Sequence, residues 1–230
     1  PWELGADFFL RHLLDGDPAS NTLGWRWVAG IQTVGKTYLA RPDNIAKYTD
    51  GRFNPTGLAT FAAPLDAPPV PERTPVRHSD PLPRGKVGLL ISEDDLTPEW
   101  LLTQFPTPPA AIAALNGSQF RSPLAVAPQV VEFVDNAMND ADTRLGEMTR
   151  IGWAEDIDAW ATQNTLDAIV MSYAPIGGTA DALNAVKTPL AQILRPYDAA
   201  AWPHAKAGFF KFKTQIPKLL KRYDDQLDLF

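Results

Sequence analysis

The chain has no cysteine, which removes disulfides, thiolate metal sites and cysteine nucleophiles together. Histidine is nearly as scarce: His12, His78 and His204 lie far apart and give no metal-ligand spacing, so no metal site is expected. No apolar run reaches the roughly 20 residues that cross a bilayer, and no charged-then-apolar leader stands at the front. A cytoplasmic protein without a membrane partner is therefore expected. An excess of basic charge is missing too: 21 Lys and Arg stand against 27 Asp and Glu, a net charge of -6. That balance argues against wholesale coating of nucleic acid but leaves room for a local basic face. What is present, in 230 residues that are 45% hydrophobic and 21% charged, suits a soluble globular protein with a sizeable core. Pro1 stands where a complete chain would carry its initiator, so a processed chain or a fragment is expected.

Composition divides the chain into three. Residues 1–58 are rich in tryptophan, glycine and helix signals. Residues 59–85, with "TFAAPLDAPPVPERTPVRHSDPLPRG" at their heart, are proline-dense and read as a semi-rigid extended linker or as a segment wrapped over a neighbour. Residues 86–230 alternate strand and helix signals. "KVGLLIS", "PPAAIAALN" and "DAIVMSYA" have the length and apolarity of buried strands. Between them Pro128 opens a helix whose Val130, Val131, Val134, Met138, Ala141 and Leu145 fall on one stripe. Further helices are expected over residues 154–166 and 179–193, the second kinked or ended at Pro189. Strand, helix, strand in this order favours a parallel sheet covered on its faces. The expected fold class is thus an all-helical N-terminal segment followed by a Rossmann-like α/β domain.

The densest signal is "LLDGDPASNTLGWRWVAG". Trp2, Phe8, Phe9, Leu13 and Leu14 give a first helix an apolar side that Gly16 ends. Asp17 followed by Pro18 then starts a second helix, with a capping carboxylate and proline at the first helical position. Asp17, Asn21 and Trp25 step by four and share one face of that helix. A carboxylate, an amide and an indole make a poor packing stripe, since buried polar groups need partners. Trp27 lies about 200° around the helix from Trp25, so the two indoles serve different purposes. Capping and packing in two layers is one account of these residues; a pocket for a flat, polar-edged cofactor is the other.

The whole stretch "WELGADFFLRHLLDGDPASNTLGWRWVAG" resembles the helical FAD-binding domain of the DNA photolyase and cryptochrome family. The pattern is W-x-x-G, then L-x-D-G-D-x-A-x-N, then W-x-W closing on A-G. "YLARPDNIAKYTDGRFNP" is similar, more loosely, to the segment that leaves the flavin pocket. The resemblance implies FAD as cofactor and assigns roles by position. Asp15 and Asp17 would contact the flavin and ribityl region, and Asn21 would sit beside the reactive ring nitrogen. Trp25 would be the nearest member of the electron-transfer chain and Trp2 the middle one. Trp27 would face the pocket for a flipped pyrimidine dimer. In the family the outermost tryptophan, the phosphate loop and an arginine pairing an aspartate like Asp15 lie upstream of this motif, so a chain truncated at its N-terminus is expected. The implied activity is that of a deoxyribodipyrimidine photolyase, a lyase of DNA repair, with damaged DNA as partner. The alternative is a non-catalytic remnant or interaction module that has lost FAD.

Three other stretches were candidates. "SYAPIGGTADAL" sets two glycines between a strand and a helix, as an anion loop or a plain turn. "SEDDLTPEW" gathers Glu93, Asp94 and Asp95 after a strand, as a magnesium site or as capping and solvated charge. In the C-terminal stretch Lys206, Lys211, Lys213, Lys218, Lys221 and Arg222 interleave with Phe209, Phe210 and Phe212. That reads first as an amphipathic helix with its rings inward, and second as a grip on a nucleic-acid backbone.

Overall fold

The computed structural model describes residues 1–33, 36–67, 69, 72, 74, 75 and 77–227, the last five of these without side chains. The chain divides into two compact units. One comprises residues 1–72 and 121–130, the other residues 73–120 and 131–230.

The first unit carries three helices, α1 (Trp2–Leu10), α2 (Pro18–Val28) and α3 (Pro42–Tyr48), and among its described residues no strand. Helix α2 begins as its sequence demands, with Pro18 in the first turn and the Asp17 side chain accepting from the Ala19 amide at 2.9 Å. Helix α1 stops at Leu10, six residues before Gly16, which instead sits in the following turn at φ +54°. The expected apolar side of α1 is also shifted: Phe8 and Leu14 are exposed, and the buried residue is Ala6. Part of the proline-dense stretch wraps this unit. The Thr37 hydroxyl donates to the Ala62 carbonyl and the Leu65 amide to the Ala29 carbonyl. At Ala62 and Leu65 the stretch is therefore wrapped against its neighbours; residues 68, 70, 71, 73 and 76 lie outside the described residues.

The second unit is a five-stranded, wholly parallel sheet. Its strands are β1 (Val87–Ser92), β2 (Ala111–Leu115), β3 (Thr149–Ile151), β4 (Ala168–Ser172) and β5 (Leu190–Ile193), in the order β3-β2-β1-β4-β5. That order places the reversal of a doubly wound sheet between β1 and β4. Strand periodicity separates two cores. Val87, Leu89 and Ile91 of β1 face Leu101 of α4 (Glu99–Leu102) and Val134, Met138 and Ala141 of α5 (Pro128–Leu145). Leu90 joins Leu115 and Ile169 on the opposite face, under Ile157 and Trp160 of α6 (Glu155–Gln163) and Leu183 of α7 (Gly178–Leu183). The centre strand is thus buried on both faces, as its unbroken apolar run requires.

Two strands were not legible. β3 is three residues long and exposes Thr149 and Arg150. β5 lies inside the stretch read as one helix over 179–193: α7 ends at Leu183 and Pro189 precedes a strand instead of kinking a helix. A short helix with only four strand residues behind it carries neither period long enough to detect. The edge at β5 is closed by the end of the proline-dense stretch. Asp80 accepts from the Gln192 amide at 2.8 Å while its own amide donates to the Gln192 carbonyl, and the Ser79 hydroxyl accepts from the Leu194 amide. Such pairing leaves no open ladder for another chain.

Asp158 of α6 staples the approach to β5. It accepts from the Lys187 amide and from both the amide and hydroxyl of Thr188, at 2.8 and 2.6 Å for the latter two. The Thr188 hydroxyl bond holds this carboxyl below its ordinary value of 3.8. Because the folded pKa is the lower one, the carboxylate stabilises fully above the unfolded value and loses its contribution as pH falls through the folded value. Asp158→Ala should cost about 1–2 kcal/mol at neutral pH and flatten the acid limb of a pH–stability curve below about pH 4. Urea midpoints of both proteins between pH 2.5 and 7 test this, and parallel curves would refute it.

The remaining helices are α8 (Pro196–Ala201), α9 (Phe209–Lys213) and α10 (Ile216–Leu227), with α10 packed against α8. The inward-ring reading fails at Phe209 and Phe210, which are 62% and 83% exposed, but holds in part elsewhere: Phe212 is half-buried and Leu219 of α10 is buried. Five residues of α9 make little more than one turn, too few to present one side to a core. Among the described residues no helix is long and apolar enough to cross a membrane.

Candidate functional site

Every residue singled out for the cofactor lies on α1, α2 or the turn between them. The face of α1 that meets α2 is the stripe Trp2, Gly5, Ala6 and Phe9, spaced i, i+3, i+4, i+7. The Trp25 indole lies against Gly5, so closely that a Cβ there would stand 2.5 Å from two ring carbons. Phe9 meets the same indole edge-on, with centroids 5.1 Å apart and planes at 78°. Asn21 Nδ2 donates to the Ala6 carbonyl at 2.8 Å. Trp2 is half-buried one turn before Gly5, on the same stripe that carries Trp25. The structure thus brings Asn21 and Trp25 of α2 against Gly5, Ala6 and Phe9 of α1 at one helix–helix seam.

Asp17 and Asn21 each have a partner, the first as the cap of α2 and the second as a bridge to α1. Capping and bridging are therefore real parts of their work. Asp15 differs: it is exposed and has no hydrogen-bond partner among the described residues. Trp27 faces elsewhere, as the 200° separation from Trp25 demands. It packs edge-on against Tyr38, with centroids 5.6 Å apart and planes at 85°.

The turn before α2 is held by a residue that sequence reasoning missed. Arg121 sets its guanidinium where a side chain on Gly16 would lie, with Cζ 1.9 Å from the position of a Cβ. Its Nη1 donates to the Leu13 carbonyl at 2.7 Å and its Nη2 to the Leu14 carbonyl at 3.3 Å. The following residues strap α1: the Ser122 hydroxyl donates to Asp7 at 2.6 Å, Arg11 pairs with the other Asp7 oxygen at 3.0 Å, and the Ala127 amide donates to the Arg11 carbonyl. The Ser122 bond, helped by Arg11, holds the Asp7 carboxyl below its ordinary value. Gly16's need for a left-handed conformation before Asp17 was the visible half of this arrangement. An arginine 108 positions from Leu13 was not.

Helix α2 buries none of its eleven residues completely, while Leu4, Phe8, Leu23 and Val28 of the two helices remain exposed. The Asp15 carboxylate is exposed, while Asp17, Asn21 and Trp25 share one face of α2, on the other side of the helix from Leu23. A carboxylate, an amide and an indole on one helix face are groups that a flat cofactor with a polar edge would use. Gly5→Val should separate this seam, because the added carbons take space the Trp25 ring occupies. The expected cost is about 1–3 kcal/mol, seen as a lowered melting temperature of the helical signal with a red-shifted tryptophan emission.

The α/β unit has its own clefts at the carboxyl ends of its strands. One of about 460 Å³ lies beyond β2 and β3, lined among others by Asn116, Asp135, Asn139 and Arg150. A smaller one of about 140 Å³ lies at the β1/β4 reversal, between Asp95, Ser172, Arg195 and Trp202. The acids after β1 divide: Asp94 is exposed, while Glu93 and Asp95 are held by hydrogen bonds. Glu93 accepts from the Gly117 amide at 2.7 Å and Asp95 is buried, and no group of metal-binding side chains occurs among the described residues. A pyrophosphate beside three carboxylates would be repelled, and the double glycine opens only a six-residue helix whose Gly178 backs onto the Phe120 carbonyl. A nucleotide site of the dinucleotide-binding kind is therefore disfavoured in this unit.

Comparison with known proteins gives one match. Residues 1–57 fit the family model described as the FAD binding domain of DNA photolyase. No curated protein and no solved structure matches the chain.

Proposed function

We propose, from a chain whose residues 1–57 belong to the FAD-binding domain family of DNA photolyases, that the seam between α1 and α2 is one wall of a flavin site in a photolyase- or cryptochrome-like flavoprotein. The observation that carries this reading is the family match, whose residues 1–57 include the α2 face of Asp17, Asn21 and Trp25. Asp15, Asp17, Asn21 and Trp25 would hold the cofactor. FAD, when bound, supplies a light-driven one-electron couple.

The chain's own residues have distinct parts in that reading. Trp25 is fixed by Gly5 on one side and Phe9 on another, so its indole would give up an electron from a defined position. Trp2, one turn along the stripe that supports Trp25, would refill it. Asn21 is held by its Nδ2 bond to Ala6, which leaves its Oδ1 to orient a ring N–H. Trp27, with Tyr38 at its edge, offers an aromatic surface turned away from Trp25, suited to a base flipped out of damaged DNA. Light-driven repair of pyrimidine dimers is the activity that fits this division, and the uncovered apolar surface is where cofactor and further helices of such a domain would pack.

The rival reading is a remnant that keeps the motif without the flavin. It is favoured by Asp17 and Asn21 having structural partners already. Incubation of the full-length protein with FAD, followed by gel filtration, separates the two. Retained yellow pigment with quenched flavin fluorescence is expected; a colourless protein that returns all of its FAD would establish the remnant.

A further inference from the structure

Six of the 21 Lys and Arg residues fall within residues 206–222, a stretch without a single Asp or Glu in a chain of net charge -6. The nearest acid before it, Asp198, is engaged by Arg195 at 2.8 Å. Within this stretch Phe209 and Phe210 stand out together, 62% and 83% exposed, with ring centroids 5.9 Å apart. Exposing two phenylalanines costs hydrophobic free energy that burial would recover, and exposing them in a basic stretch of an acidic protein, just before Asp224 and Asp225, points to an anionic partner with apolar faces of its own.

The arrangement of charge selects the partner. At about 100° per residue, Lys213 falls on the arc of α9 between Phe209 and Phe210. A helix that lies in a bilayer surface segregates its cations from the inserted side, and entry of these two rings would carry Lys213 in with them. A nucleic-acid strand has the opposite requirement, since bases stack on rings while phosphates a few ångströms away need cations beside those rings. The exposed Lys218, Lys221 and Arg222 at the start of α10 share one face, about 195° around from Ile216 at that spacing, and extend the cationic track beyond the rings.

We infer that α9 and the first two turns of α10 form a docking surface for single-stranded nucleic acid, with Phe209 and Phe210 as the stacking platform and Lys211, Lys213, Lys218, Lys221 and Arg222 on the phosphates. The surface lies in the α/β unit and acts without flavin or light, so it stands or falls apart from the reading of α1 and α2.

The test is fluorescence anisotropy of a dye-labelled 20-residue oligothymidylate with the full-length protein, in the dark and without added FAD. Binding at 50 mM salt is expected, with a slope of log affinity on log salt of about -3 for four to five phosphates. Phe209→Ala/Phe210→Ala should weaken it at least about tenfold with the salt slope kept, and Lys211→Gln/Lys213→Gln should weaken it and flatten the slope. All four side chains are exposed, and unchanged melting curves establish that the variants fold. Absence of binding at 50 mM salt, or equal affinity without the two rings, overturns the proposal. So does ring-dependent binding to phosphatidylserine vesicles as tight as that to the oligonucleotide, which would assign the patch to a lipid surface.

Discussion

Trp25→Phe is expected to leave flavin on the protein and to remove most of its photoreduction. The phenyl ring still fills the seam over Gly5 and beside Phe9, so the helices stay together at a cost of about 1 kcal/mol for the smaller ring. On the proposed reading what is lost is the electron donor, because an indole gives up an electron far more readily than a benzene ring. Steady illumination with a mild reductant, followed by the fading of the oxidised-flavin absorbance, measures the effect against retained pigment. Wild-type photoreduction in the variant would remove Trp25 from the electron route and with it the part given to Trp2. Trp25→Ala separates the two consequences, since it empties the seam as well and should release flavin.

Asp95→Ala should be the most costly single truncation of a polar side chain in the α/β unit, at about 2–4 kcal/mol. Asp95 is buried and works with both oxygens. Oδ2 accepts from the Trp100 indole at 2.8 Å and from the Ser172 hydroxyl at 2.7 Å; Oδ1 accepts from the Thr97 amide and hydroxyl and lies 4.0 Å from Arg195. One carboxylate thereby ties the exit of β1 to α4 and to the end of β4. Its loss removes these bonds and leaves the half-buried Trp100 and Ser172 donors without this acceptor. Asp95→Asn should recover part of the stability, since one oxygen still accepts while the new amide faces donors. Guanidinium unfolding followed by circular dichroism measures both, and a loss below about 1 kcal/mol in the alanine variant would show that the network is not coupled to the sheet.

Much of this was legible because it is local. The cap at Asp17, the proline at the start of α2, the opposed directions of Trp25 and Trp27 and the apolar runs of β1, β2 and β4 all follow from periodicity and backbone chemistry within a dozen residues. The misreadings share one cause as well. The start of α1 was assigned by its large apolar residues, yet its buried stripe runs through Gly5 and Ala6, where smallness is the point: only a residue without a side chain lets an indole approach the backbone. Glu93 and Asp95 looked like solvated acids because their partners, Gly117, Ser172 and Thr179, come from other strands and helices. Phe209 and Phe210 looked like core because aromatic residues usually are, and nothing local says that a single-turn helix will leave them outside.

By itself, the sequence determined helices near its N-terminal end and the buried parallel strands β1, β2 and β4, since both are written in short-range patterns. Tertiary structure alone decided that Arg121 would occupy the place of a side chain at Gly16, that the proline-dense stretch would close the edge of β5, and that a basic aromatic surface would stay in water. Each of these depends on which distant groups arrive to satisfy a carbonyl, an edge or a ring, and a one-dimensional pattern holds no record of who arrives.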